Sequence, residues 1–137
     1  MFSELKELIK NSYSPKSKYA VACIVKMKDG KFFKGVNIEN PSFKDGMCAE
    51  QVAIGTAISE GYKKGDFDRI YLLGSSKHSI TPCFLCRQVL VEFFDKDNLI
   101  ISYDKEGNDT TYKVSELCPF TFSEEDLNDK WVKKITC

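Results

Sequence analysis

Two cysteine motifs constrain this chain more than any other feature: Cys48-Ala49-Glu50, and further on Pro82-Cys83-Phe84-Leu85-Cys86. A Cys-x-x-Cys pair wraps one metal ion, and a third thiolate arriving from elsewhere leaves one tetrahedral position open. The fold must therefore return the second motif to the first across an intervening helical segment and a strand-like run. Glu50, two residues after the first thiolate, can reach the open position without occupying it. Cys48, Cys83 and Cys86 are thus expected to hold one zinc ion per chain, with Glu50 as its acid–base partner. A closed structural site with His78 as fourth ligand is the alternative, but such a site has no need of a Glu at this position. His78 otherwise reads as an ordinary loop histidine.

Length and composition narrow the class. At 137 residues there is room for one domain, taken as residues 1–137, with a core of its own. Twenty Lys and Arg balance twenty Asp and Glu, so no long-range field favours nucleic acid or an acidic membrane. The densest basic pair, Lys133-Lys134, falls in an expected tail. The first residues lack the apolar core of a secretion signal, and no run approaches membrane-spanning length. Six cysteines in such a context indicate thiol or metal chemistry in a reducing compartment rather than a disulfide framework. A soluble cytoplasmic protein is expected, with neither nucleic acid nor membrane as partner.

The order of elements points to an α/β fold. Phe2, Leu5, Leu8 and Ile9 recur at helical spacing over residues 2–12. A loop to Lys18 leads to an apolar run from Tyr19 to Met27, and Asp29-Gly30 turns it into Lys31–Val36. The spacing predicts helices over 48–60 and 83–94, the second with Pro82 in its first turn, and strands over 70–74, 99–103 and 110–114. Ser123 to Asp126 has the form of a capping box opening a short last helix. Helices alternating with strands behind a leading hairpin imply a three-layer α/β/α domain: a mixed sheet of about five strands with helices on both faces. Both cysteine motifs then sit where a helix begins, where unpaired N–H groups and the helix dipole stabilise thiolate.

With these residues in place, the chain resembles the small, homotetrameric, three-cysteine cytidine deaminases over about residues 5–127, and is related to the blasticidin-S deaminases. Cys-Ala-Glu and Pro-Cys-x-x-Cys-Arg-Gln of that family are matched by Cys48-Ala49-Glu50 and Pro82 to Gln88. A glutamate beside three zinc-bound cysteines is also the general signature of the zinc deaminases. The resemblance implies that Glu50 moves protons and that Asn37-Ile38-Glu39 grips the ribose 3′-hydroxyl through Asn37 and Glu39. It aligns Tyr19 with an aromatic near sugar and base, counts Ala49 among the substrate contacts, and offers the ring of Phe122 to a neighbouring subunit. Hydrolytic deamination of cytidine and 2′-deoxycytidine in pyrimidine salvage is the expectation, by a homotetramer with shared sites. Three departures stand out: Gln51 where an Arg usually neutralises the thiolates, Phe84 where a small residue is usual, and Lys16 where the loop usually carries Tyr. Gln51 leans towards the blasticidin-S branch, whereas Asn37 and Glu39 lean towards cytidine. Arg87 is a second candidate for neutralising the sulfurs. Cys23 reads as core, and Cys118 and Cys137 carry no assigned role.

Overall fold

The run expected as the first strand organises the sheet. β1 (Val21–Met27) sends Cys23, Val25 and Met27 into one buried cluster and Ala22 and Ile24 into another on the opposite face, as a period of two requires. In the computed structural model, which describes residues 1–128, β1 lies between β2 (Phe32–Val36) and β3 (Phe67–Gly74), antiparallel to both. β4 (Leu99–Tyr103) joins β3 in parallel, and β5 (Asp109–Lys113) closes the order β2-β1-β3-β4-β5 antiparallel to β4.

Helices cover both faces. α1 (Phe2–Leu8) buries Leu5 completely against Ala22, Ile24 and Leu73. On the other face α2 (Ala49–Ser59) and α3 (Phe84–Phe93) place Ala53, Ile54, Ala57 and Leu90 over Val25, Ile70, Leu72 and Ile100. The expected three-layer architecture is thus the observed one.

Several boundaries move for local reasons. The first helix ends at Leu8 and tightens into a 3-10 turn over Ile9–Asn11. β3 begins at Phe67 rather than Ile70, because Phe67 is fully buried against the rings of Phe94 and Phe93, at centroid distances of 4.9 and 5.9 Å. Val114 opens α4 (Val114–Leu117) instead of ending a strand. Pro82 precedes the cap of α3 rather than entering its first turn, since Cys83 keeps extended backbone angles. The last helix, α5 (Glu124–Leu127), is capped as expected, the Ser123 N–H donating to Asp126 Oδ2 at 2.7 Å. Lys133, Lys134 and Cys137 lie outside the described residues.

This topology selects one edge of the sheet for chemistry. Because β1 runs antiparallel to both neighbours, its start lies beside the ends of β2 and β3, with Ala22 opposite Val36 and Val21 opposite Gly74. Ser75 N–H donates to the Ala20 carbonyl at 2.9 Å, and Ala20 N–H to Ser75 Oγ at 3.1 Å, which fastens the two chain segments there. α2 seats on β2 at Gly35, where a Cβ would collide with the Ala49 carbonyl and lie 2.5 Å from the Ala53 nitrogen.

Candidate active site

Each sulfur of the site is placed by a helix start. Cys48 is the N-cap of α2, Cys83 is the N-cap of α3, and Cys86 lies in the first turn of α3, fully buried. Both cap residues take extended backbone angles, so each side chain turns back across its helix end. The Cys48 and Cys83 sulfurs are 3.8 Å apart, and all three lie within 4.8 Å of one another. Zn–S bonds of about 2.3 Å at tetrahedral angles require sulfurs about 3.8 Å apart, so the donor set fits one zinc ion. Among the described residues this is the one group of three Cys, His, Asp or Glu side chains close enough to hold a metal. His78 is exposed in the loop after β3 and does not belong to it.

The cluster pulls the acidities of two of its thiols in opposite directions. The hydrogen bond from Cys86 brings the Cys48 thiol down to about 7, and Cys83 adds to this. Cys86 is pushed up, by that same bond and by burial. Glu50 is only 4 % exposed, and burial raises its carboxyl above the ordinary value against the opposing pull of a Cys86 hydrogen bond. A proton carrier needs a carboxyl of this kind, held neutral more readily than one in water.

Gln51 and Arg87 do different work from neutralising sulfur. Gln51 Oε1 accepts the backbone N–H of Cys48 at 2.9 Å, in the reciprocal half of a capping box whose cap is one of the three clustered thiols. The spacing Cys-x-x-Gln was a legible capping signal, hidden because Cys is not a usual cap. Arg87 donates to the Pro82 carbonyl (2.8 Å), the Leu117 carbonyl (2.9 Å) and Thr81 Oγ1 (3.1 Å), and its guanidinium carbon stands 4.3 Å from the centre of the Phe84 ring. Phe84 is therefore a platform for Arg87 on the surface, 80 % exposed.

A cleft of about 640 Å³ opens beside the sulfurs. Tyr19, Asn37, Glu39, Ala49 and Glu50 line it together with Cys48 and Cys83, while Cys86 lies buried behind it in the sulfur cluster and Phe122 stands apart. The Asn37 amide is heavily committed: Oδ1 accepts from Val21 N–H at 2.9 Å and from the Ser12 hydroxyl, and Nδ2 donates to the Tyr19 carbonyl at 2.8 Å. Glu39 Oε1 accepts the backbone N–H groups of Lys16 (2.8 Å) and Ser17 (3.0 Å), which hold its carboxyl below the usual range, the hydrogen bonds to Ser17 foremost. The Tyr19 hydroxyl bonds to Ser76 Oγ at 2.9 Å, and Ser76 in turn donates to the His78 carbonyl. Phe122 lies outside its own chain's cleft, with its carbonyl accepting from Gln88 Nε2 at 2.8 Å. The rim adds exposed Phe43, Met47 and Leu85, which the motifs did not indicate.

A mixed sheet between helices, with three thiols and a buried carboxyl at two helix starts beside a cleft, defines a mononuclear zinc enzyme of the α/β/α class. The family model described as the cytidine and deoxycytidylate deaminase zinc-binding region matches residues 1–102, and the chain belongs to that family. A cytidine deaminase from Halalkalibacterium halodurans is 37% identical over 118 residues, covering 86% of this chain and 88% of the relative. A blasticidin-S deaminase from Bacillus cereus is 28% identical, covering 78% of this chain and 79% of the relative. The crystal structure of cytidine deaminase from Burkholderia pseudomallei superposes with a TM-score of 0.83 at 31% identity, over 88% of this chain and 94% of that one. The expected family and fold are those found, and Cys48, Cys83 and Cys86 lie together as a donor set that fits one zinc ion.

Proposed function

We propose that this chain hydrolytically deaminates cytidine and 2′-deoxycytidine, releasing ammonia and the corresponding uridines. The observation that carries the proposal is Glu50, a buried carboxyl raised by its surroundings, set on the first turn of α2 beside three clustered thiols. Cys48, Cys83 and Cys86 would hold one zinc ion, which when bound makes water a competent nucleophile near neutral pH. Glu50 takes the proton from the attacking water, delivers it to the ring nitrogen beside the reacting carbon, and later assists loss of the amine as ammonia. Water adds at the carbon bearing the amine, and the C–N bond to ammonia breaks.

Substrate placement follows the cleft wall. Glu39 keeps Oε2 for a sugar hydroxyl while Oε1 is held by two backbone N–H groups. Asn37 keeps one amide hydrogen beyond its bond to Tyr19. Tyr19 presents its ring to sugar and base with its hydroxyl tied back to Ser76. Ala49 lies at the buried floor of the cleft. Exposed apolar residues at the rim and beyond, with Phe122 58 % and Phe120 fully exposed, support a homotetramer in which Phe122 reaches a neighbour's cleft. A place in cytoplasmic pyrimidine salvage agrees with a neutral chain of which no described helix is long and apolar enough to cross a membrane.

An absorbance assay with cytidine, deoxycytidine and blasticidin S side by side tests the proposal. Turnover of the first two supports it. Consumption of blasticidin S alone would assign the chain to the antibiotic branch, towards which Gln51 leans, and a zinc-loaded sample inert to all three would indicate a structural module.

A further inference from the structure

Arg87 follows the last expected zinc ligand, yet three of its five N–H donors go to backbone and hydroxyl oxygens, one from each nitrogen, and it does not line the cleft. Those oxygens share a pattern. The Pro82 carbonyl belongs to the peptide group that leads into Cys83, so the bond from Arg87 Nε fixes the plane from which that ligand departs. Thr81 stands one residue further back, on the cleft wall. The Leu117 carbonyl ends α4, where helix carbonyls lack partners and a cation is favoured. On its fourth side the guanidinium faces the Phe84 ring, which sits between the paired cysteines.

We infer that Arg87 is a positioning residue for the zinc site, a clamp that holds the Thr81–Cys86 turn in the shape that puts Cys83 and Cys86 on one ion and fastens that turn to the 117–122 segment. Neighbouring bonds act in the same direction. Cys118 Sγ donates to the Arg87 carbonyl at 3.8 Å, and Gln88 Nε2 donates to the Phe122 carbonyl at 2.8 Å, so the segment is held at three points by residues 87 and 88. Zinc leaves a Cys-x-x-Cys turn when the turn opens. Opening this one pulls the Pro82 carbonyl and Thr81 away from a guanidinium anchored elsewhere, so the clamp slows loss of the metal. The planar fork is needed because its donors diverge from three nitrogens in one plane, whereas the three donors of a lysine ammonium all leave one nitrogen. The same geometry accounts for Phe84 in a place where a small residue would leave the guanidinium unsupported.

The inference rests on the zinc reading and is independent of which nucleoside is deaminated. Its test is the rate at which zinc passes from the folded holoenzyme to a chromogenic chelator, measured well below the unfolding temperature. Arg87→Met is expected to speed release about 10–100-fold, if the affinity that removing an outer partner of metal ligands typically costs is lost through faster release. Arg87→Lys is expected to fall between it and the wild type. Phe84→Leu should give a smaller acceleration that does not add to that of Arg87→Met, because ring and guanidinium act as one unit. Tyr62→Phe, which loses a bond to Asp29 remote from the turn, is the stability control and should release zinc at the wild-type rate. A folded Arg87→Met protein releasing zinc at the wild-type rate overturns the inference. If that variant does not fold, unchanged release from both Arg87→Lys and Phe84→Leu overturns it. A wild type that binds zinc but turns over no nucleoside would sink the deaminase proposal while leaving this comparison intact.

Discussion

Gly35→Ala tests how the site depends on the packing of α2 against β2. The added Cβ would press on two backbone atoms, the Ala49 carbonyl oxygen and the Ala53 nitrogen, and neither can turn aside as a side chain could. The Ala53 nitrogen would be 2.5 Å away where ordinary contact begins at 3.4 Å, so the start of α2 must retreat by about 1 Å. Overpacking of this kind costs about 1–3 kcal/mol. Replacing Gly by Ala recovers roughly 0.4–1 kcal/mol through a less disordered unfolded chain. The net loss is about 1–2 kcal/mol, or roughly 3–8 °C in unfolding temperature for a chain of this size. The effect on turnover should be larger than the effect on stability. Cys48 caps this helix and Glu50 lies in its first turn, so a shift of about 1 Å moves the proposed ligand and the proposed proton carrier together, and such misplacement costs on the order of 100-fold in rate. Calorimetry on the zinc-loaded protein and the cytidine assay read the two effects. A variant that unfolds and turns over like the wild type would refute the reasoning, since it would mean that the strand–helix contact has slack.

Three further outcomes are expected. Glu50→Gln should keep its fold and its zinc by metal analysis and lose about 10²–10⁴-fold in turnover, whereas near-normal activity would remove Glu50 from the proposed mechanism. Asn37→Ala should lower the unfolding free energy by about 1–3 kcal/mol as well as raise KM, because the lost amide ties Ser12, Tyr19 and Val21 together; an unchanged denaturation midpoint would mean that these bonds are replaced by water. Tyr62→Phe probes pH dependence. The Tyr62 hydroxyl holds the Asp29 carboxyl below its ordinary value, while that bond pushes Tyr62 up to about 12. Asp29 thus contributes stability above the ordinary carboxylate range that fades as pH falls through its lowered value. Tyr62 contributes below the ordinary phenol range and loses that contribution as pH rises through about 12. The variant should melt lower than the wild type at neutral pH, with the gap closing in acid, and a gap independent of pH down to 2 would count against the pair.

The sequence by itself determined the parts of this protein that depend on short-range order. Alternation along Val21–Met27 decides which side chains face each layer, because a strand's period is two wherever the strand is placed. Cysteines at the starts of two apolar helices put thiols on helix ends in any arrangement of those helices, and Glu50 follows Cys48 by covalent spacing alone. The three-cysteine site and the α/β/α class were legible for that reason. What tertiary structure decided is what depends on residues distant in the chain. No local signal says that β1 lies between β2 and β3, yet that order brings Asn37, Tyr19 and Ser75 to one edge. Phe67 carries a strand start because Phe93 and Phe94 bury it, an interaction invisible in its own neighbourhood. Gly35 reads as an unremarkable strand residue until the Ala49 carbonyl is found against it. Arg87, which by position is a natural neighbour for the sulfurs, bonds instead to the Pro82 and Leu117 carbonyls and the Thr81 hydroxyl, because a guanidinium goes to whichever oxygens the fold leaves open to it, and only the packed chain shows which those are.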